Sequence, residues 1–242
     1  MRLLVDFLFR FGWGLAAALV CTPAALVPAG FFRVNLLVVL GLASVAAFLA
    51  RAEALGAAWM LAATAAVVAW IGSVLWFGER VRGGMIACGL TAALLAGASV
   101  LVQPTPLAAA TALLSGLVVG LTVHAMLLGH WYLNAPGMRV DALRRMIDVA
   151  MIAWGVQLAA ATAEVAWPVG GGASGAAAVA GSAATALLAL RWLAGLVGLP
   201  VLLVMSRKTL DIPNTQSATG ILYVACLAAI LGELTAQLLR AA

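Results

Sequence analysis

The sequence predicts an all-α protein, a polytopic membrane bundle of about eight transmembrane helices. Its 242 residues are 66% hydrophobic and only 9% charged, whereas about a quarter of the residues of an ordinary soluble domain are charged. The apolar residues form long continuous runs, and about 20 consecutive apolar residues are enough to cross the hydrocarbon core of a bilayer. Because a backbone in lipid must satisfy its own hydrogen bonds, runs of this length indicate helices. We therefore expect a single integral membrane domain over residues 1–242, with the lipid bilayer as its surroundings.

The apolar runs divide into eight candidate spans joined by short segments. We find no convincing internal repeat, and a glycine-rich connector separates the sixth span from the seventh. The predicted spans cover residues 7–29, 32–50, 55–77, 83–102, 106–133, 142–167, 178–206 and 217–239. On the fifth span, Gly116 and Gly120 form a ridge of small residues that predicts a close contact with another helix.

The first run is interpreted as a span and not as a cleaved signal peptide. Asp6 and Arg10 interrupt the region that a signal peptide keeps apolar, and no clear small-x-small cleavage site follows.

Charge at the span ends predicts the orientation. One side carries eight basic residues, namely Arg33, Arg80, Arg82, Arg139, Arg144, Arg145, Arg207 and Lys208. The other side carries four, namely Arg2, Arg10, Arg51 and Arg240. Because cytoplasmic loops are enriched in Lys and Arg, this bias predicts both termini on the periplasmic side. Arginine-, alanine- and glycine-rich composition suggests a bacterium with a GC-rich genome, so the expected location is the bacterial inner membrane.

The same pattern excludes several classes of function. The basic residues are scattered, without the dense patch that nucleic acid requires. Cys21, Cys88 and Cys226 stand singly and lack metal-ligand spacing. No phosphate-binding loop, metalloprotease helix or nucleophile elbow occurs. We therefore assign no catalytic residue and no metal site.

Polar groups inside the spans are candidates for function, because such groups are costly in lipid unless they have partners. Arg191 lies 16 residues from Arg207, and Glu233 lies 16 residues from Ser217, so each stands about 24 Å from the cytoplasmic edge. The matching depths on consecutive antiparallel spans predict an Arg191–Glu233 ion pair. Glu164 on the sixth span stands at similar or slightly greater height, with Gln157 two turns below it on the same face, which predicts an outer polar pocket. The alternative is that the pair only fixes helix register.

His124 and His130, the two histidines of the chain, both lie on the fifth span. They point from different faces, about 9 Å apart along the axis, so they cannot ligate one haem iron from opposite sides. A haem with two histidine ligands within one chain is therefore not expected, and no covalently bound cofactor is assigned. A haem shared between subunits, or one with His and Met ligands, is the alternative. The histidines are suited to a proton relay near neutral pH. Alternatively, His130 is a solvated residue beside the interfacial anchors Trp131 and Tyr132.

Charged residues also open the sixth span. The i,i+4 spacing of Asp141 with Arg145, and of Arg144 with Asp148, predicts two surface ion pairs within this helix. Docking of a partner protein is the functional alternative.

The last two spans carry a resemblance to a known family. Arg191 within Leu-Arg-Trp-Leu-Ala-Gly-Leu, followed by Leu-Gly-Glu-Leu at residues 231–234, resembles the closing helices of the eight-span membrane anchors of DMSO reductase and polysulfide reductase type complexes. Those anchors have both termini outside, carry no haem and bind a quinol near the outer face. The resemblance implies quinol binding by Arg191 and Glu233.

These observations predict a membrane subunit of an electron-transfer complex that binds a quinone or handles protons. It would have no redox centre and would act with other subunits as a non-catalytic part of an oxidoreductase. Arg191, Glu233, Glu164 and Gln157 are the expected ligand-binding residues, with His124 and His130 as proton carriers. A small-molecule or ion transporter is the first alternative, because Pro200, Gly195 and Gly198 can break the seventh span. A structural or assembly subunit is the second.

Overall fold

The protein is all-helical in the part of the chain that the computed structural model describes, residues 1–135, 137–166, 182–212 and 214–241. Eight helices in these residues are long and apolar enough to cross a membrane, which confirms the predicted fold class. They are α1 Arg2–Cys21, α2 Ala29–Ala52, α3 Ala58–Phe77, α4 Val81–Leu101, α5 Pro106–Asn134, α6 Asp141–Ala166, α7 Ser182–Leu190 with Arg191–Gly198 and Leu199–Thr209, and α8 Thr215–Ala241.

The first span is shifted from its prediction. We predicted residues 7–29, whereas α1 ends at Cys21 and α2 begins at Ala29. Thr22 is extended, with φ −78° and ψ 127°, as expected for a residue that precedes a proline. Pro23 and Pro28 therefore separate two helices within one apolar stretch. The other spans differ from their predictions by only a few residues, and the predicted start of the seventh lies outside the described residues.

The eight helices form two groups of four with the same order of neighbours. In the first group α1 packs against α2, α2 against α3, α3 against α4 and α4 against α1. In the second group α5, α6, α7 and α8 repeat this order, and α8 packs against α5. The main contact between the groups joins α1 and α5, and each of these is the first helix of its group. No internal repeat in the sequence predicted this arrangement.

Glycines bring α1 and α5 into backbone contact. A Cβ atom at Gly116 would lie 2.5 Å from the carbonyl oxygen of Arg10, and Cβ atoms at Gly14 or Gly120 would overlap the facing backbone. Close approach through small residues is the usual basis of helix contact in lipid. Arg10 faces Gly116 and Gly14 faces Gly120, so the two helices run in the same direction. The prediction of a small-residue contact at Gly116 and Gly120 is confirmed.

Helix α7 changes its type in the middle. Residues Arg191–Gly198 form a π-helix between two α-helical segments. Pro200 has no backbone N–H and cannot make the i→i−4 bond to Leu196. A wider turn before the proline accommodates the missing bond. The predicted break at this site is therefore a change of helix type within a continuous helix.

Candidate functional site

A buried network of charges joins α1 to α8. The guanidinium of Arg10 donates from Nη1 to Glu233 Oε1 at 2.8 Å and from Nη2 to Asp6 Oδ2 at 2.5 Å. The side chains of Arg10 and Glu233 are each 3% exposed. Gln237 donates to the same Glu233 oxygen at 2.8 Å, and Gln103 donates to Asp6 Oδ1 at 2.7 Å. Each carboxylate thus has a charged partner and an amide donor.

This network corrects two expectations. We expected Glu233 to pair with Arg191, but the ion pair found at Glu233 is formed with Arg10. We also counted Arg10 among the basic residues at span ends, whereas it is buried within α1. The spacing of Asp6 and Arg10, four residues apart in an apolar run, was the available signal. Because α1 begins five residues before the predicted span, at Arg2 and not at residue 7, both side chains lie deeper in the bundle than predicted.

The predicted polar pocket does bring three of its residues together. Gln157 of α6, Arg191 of α7 and Glu233 of α8 line one cavity of about 30 Å³, closed on the α5 side by Ser115. All three stand nine or fewer residues from the helix ends at the side of the termini, a depth of about 12–14 Å. The side chain of Glu164 lies outside the described residues.

A glycine contact holds two walls of this cavity together. A Cβ atom at Gly232 would lie 2.6 Å from Cα of Gly195. Arg191 precedes Gly195 by four residues, and Glu233 follows Gly232 directly. The close crossing of α7 and α8 therefore places the guanidinium and the carboxylate on the same cavity.

A second cavity of about 20 Å³ adjoins the first. It shares Gln157 and Arg191 and adds Arg240 of α8. Helix α6 packs mainly against the Leu199–Thr209 segment of α7, so the two helices are less closely joined beside these cavities. The polar site thus lies beside a part of the α6–α7 boundary where the described residues make few contacts.

The two histidines lie in different surroundings. His124 is fully buried, where its Nε2 lies 2.6 Å from Thr22 Oγ1 and its ring meets the edge of Phe31. Its Nδ1 is buried without a partner among the described residues. His130 is exposed, and its Nδ1 lies 3.2 Å from the Tyr223 hydroxyl. The structure joins neither histidine to the Glu233 network by a hydrogen bond among the described residues.

The charged residues at the opposite end act between helices. The predicted pairs within α6 were wrong about the partners of Arg144 and Asp148. Arg207 of α7 pairs with Asp148 at 2.9 Å, and Arg144 donates to the carbonyl oxygen of Leu210 at 2.5 Å. These contacts tie α6 to the turn between α7 and α8. They stabilise the bundle at the end away from the chain termini.

No three His, Cys, Asp or Glu side chains converge on one point in the part of the chain that is described. Comparison of the sequence with protein-family models gave no matching family, and comparisons with curated proteins and with solved structures gave no match. The fold and the composition define a multi-pass membrane protein. The resemblance to quinol-binding anchors stays a prediction that depends on Arg191 and on residues 231–234.

Proposed function

We propose that this chain is a quinone-binding membrane subunit of an electron-transfer complex. The observation that supports the proposal is the shared cavity of Gln157, Arg191 and Glu233. A guanidinium donates hydrogen bonds to a quinone carbonyl, an amide donates or accepts, and a carboxylate accepts a proton from a quinol hydroxyl. The site thus contains the donors and the proton acceptor that a quinone head-group needs. Since the chain is assigned no redox centre, partner subunits would exchange the electrons.

The size of the cavity sets a condition on this proposal. A volume of about 30 Å³ holds about two water molecules, since each needs about 10–15 Å³ of such space. A quinone ring is larger, so it must enter by separating α6 from α7. Among the described residues, α6 and α7 make few contacts there, and Gln157 of α6 and Arg191 of α7 both line the adjoining cavity.

Helices α6 and α7 also offer the surface on which partner subunits would dock. Only 22% and 17% of the residues in their apolar windows are buried, against 39–72% in the other six helices. We place the protein in a bacterial inner membrane with both termini in the periplasm. Arg10 is buried within α1, so it does not count among the basic residues at the side of the termini. The excess of basic residues on the other side, which supports this orientation, is then larger.

The test is purification of the tagged full-length chain from its native membrane in a mild detergent, with mass spectrometry of bound proteins and extracted quinone. We expect quinone and oxidoreductase subunits with the wild type. Arg191→Leu should lose quinone and keep the subunits. The matched control is Arg82→Leu, an exposed arginine outside both cavities. Recovery of a lone chain without quinone would contradict the proposal.

A transporter is the second candidate, favoured by two observations. The helix groups α1–α4 and α5–α8 repeat the same order of neighbours, and helices of altered type line binding sites in transporters built from repeats. The π-helical segment begins at Arg191, on the cavity. Substrate uptake into proteoliposomes that is lost in Arg191→Leu, and kept in Arg82→Leu, would favour this candidate over the quinone subunit.

A further inference from the structure

A large cavity opens at the end of the bundle that carries the chain termini. It has a volume of about 510 Å³ and is lined by the start of α1, the α2–α3 turn and the end of α4, including Arg2, Asp6, Ala57 and Gln103. Its polar groups are separate from the cavity of Arg191. Asp6, with a side chain that is 19% exposed, lies between this opening and the buried network.

Hydrogen bonds lead inward from the opening. Gln103 contacts Asp6, Asp6 accepts from Arg10, and Arg10 donates to Glu233. Glu233 in turn lines the inner cavity. The large outer cavity and the small inner one are therefore joined through one guanidinium that contacts a carboxylate on each side.

The inner end of this path has an unsatisfied acceptor. Gln237 donates to Glu233 through Nε2, but its Oε1 is buried without a donor among the described residues. Buried acceptors normally receive a hydrogen bond from protein or from ordered water. A water beside Glu233 is consistent with the space of about 30 Å³ next to this carboxylate.

We propose that Asp6 exchanges protons between Glu233 and the water outside the bundle end that carries the termini. A proton on the Glu233 carboxyl passes, through water, to the Asp6 carboxylate and then to solvent, so that Glu233 returns to its charged form and one proton is released. Arg10 keeps its own protons throughout. It stays paired with Asp6 while Glu233 is neutral, and with Glu233 while Asp6 is neutral.

The groups around Glu233 fit this exchange. Arg10 faces it from α1, Arg191 from α7 and Gln157 from α6, while α5 contributes the hydroxyl of Ser115. Arg10 pairs with the charged carboxylate, Arg191 lines the same cavity, and no second carboxylate among the described residues lines it. The inference rests on the proposed function in taking Glu233 as the group that accepts a proton at the inner cavity.

The experiment is infrared spectroscopy of the full-length protein in lipid nanodiscs during a pH titration and after a switch from H₂O to D₂O. Glu233→Gln should abolish a carbonyl band of a protonated carboxyl group. Asp6→Asn should keep the band and slow its deuterium exchange by about 100-fold, the lower end of what a positioned proton-transfer group contributes.

A second variant tests the path without a change of charge. Ala57→Trp fills the outer cavity and should slow the same exchange. Asp148→Asn, at the opposite end of the bundle, is the matched control and should leave the rate unchanged. Absence of the band at every pH, or wild-type exchange in both Asp6→Asn and Ala57→Trp, would overturn the proposal.

The quinone content of the same samples separates the two hypotheses. If the exchange depends on Asp6 while wild-type protein holds no quinone, the proton path stands and the quinone function fails. If quinone binds and the exchange ignores Asp6, the proton path fails alone.

Discussion

The guanidinium of Arg10 is the only cationic group that the structure places in contact with both Asp6 and Glu233 among the described residues. Removing one member of a buried ion pair is costly, because the charge that remains has lost its partner. Arg10 contacts two carboxylates on different helices, so both lose their partner when it is replaced. The stability of the α1–α8 contact therefore depends on this one side chain.

Arg10→Leu should lower the free energy of unfolding by about 3–5 kcal/mol, the usual cost of breaking a buried pair. Reversible unfolding in mixed micelles measures the change. The exposed pair of Arg139 with Asp141 supplies the control, since Arg139→Leu should cost at most about 1 kcal/mol. Arg10→Leu combined with Glu233→Leu should recover part of the loss. Equal effects of the two arginine variants would contradict the expectation.

His124 gives a second prediction for a single contact. Thr22→Val removes the hydroxyl 2.6 Å from His124 Nε2 and should cost about 1–3 kcal/mol, because a buried ring nitrogen is left unsatisfied. Thr22 and Thr64 each donate a hydrogen bond to the carbonyl oxygen one turn before them, but Thr64 is exposed. Thr64→Val should therefore have little effect. The same unfolding measurement compares them, and a neutral Thr22→Val would show that the contact adds no stability.

At the scale of helices, packing depends on a few glycines at crossings. The α1–α5 contact lacks room for a methyl group at Gly116, and the α7–α8 contact lacks it at Gly232. At some other helical glycines, such as Gly89 of α4, an added Cβ atom would have no neighbouring atom within 4 Å. Glycine content alone therefore does not identify a contact, but the position of the glycine in the bundle does.

Gly116→Ala should lower stability by about 1–3 kcal/mol, because the added methyl group must push α1 away. Gly89→Ala is the matched control and should be neutral or stabilising by up to about 1 kcal/mol, since alanine is the better helix former. Thermal unfolding of the two purified variants compares them. Wild-type stability in Gly116→Ala would show that α1 and α5 do not approach as closely as described.

The π-helical segment of α7 is also open to test. Pro200→Leu restores a backbone N–H, so the regular i→i−4 pattern can extend through residues 191–198. The part of α7 before the proline should then rotate and carry Arg191 off the cavity. A cysteine cross-link between positions 191 and 157, formed in a background without native cysteines, should be lost in Pro200→Leu. Leu202→Ala, beyond the proline, should retain the link.

At the scale of the whole molecule, the protein is two groups of four helices joined mainly through α1 and α5. Each group is closed by contacts between its first and last helices. The connection between the groups is short, because α4 ends at Leu101 and α5 begins at Pro106. Helices in membranes can associate after they insert independently. The groups should therefore assemble without this covalent link.

Two fragments, residues 1–104 and 105–242, should copurify when they are coexpressed with a tag on one of them. The α1–α5 backbone contact and the Arg10–Glu233 pair supply the attraction. Gly116→Leu in the second fragment should abolish copurification, while Gly155→Leu, at an unobstructed glycine of α6, should not. Recovery of the tagged fragment alone from the unaltered pair would contradict this division.

Composition and run length were enough to predict the fold class, because the bilayer requires long apolar helices. The glycine ridge of α5 and the cavity of Gln157, Arg191 and Glu233 were also predicted, since helical spacing fixes depth and face. The ion-pair partner of Glu233 was not predicted. Several basic residues stand at a depth that suits a partner of Glu233. Arg10 can be identified only from the contact between α1 and α8, which are far apart in the sequence. Such distant contacts are not encoded in local periodicity.

The Arg10–Glu233 pair has a consequence for biosynthesis. The ribosome makes α1 before α8, so Arg10 enters the membrane before Glu233 has been synthesised. Until then its counter-charge is Asp6, one turn earlier on the same helix. Before α8 is made, this pair within α1 leaves the helix nearly neutral. A chain that stops before α8 therefore leaves Arg10 of α1 without its second carboxylate.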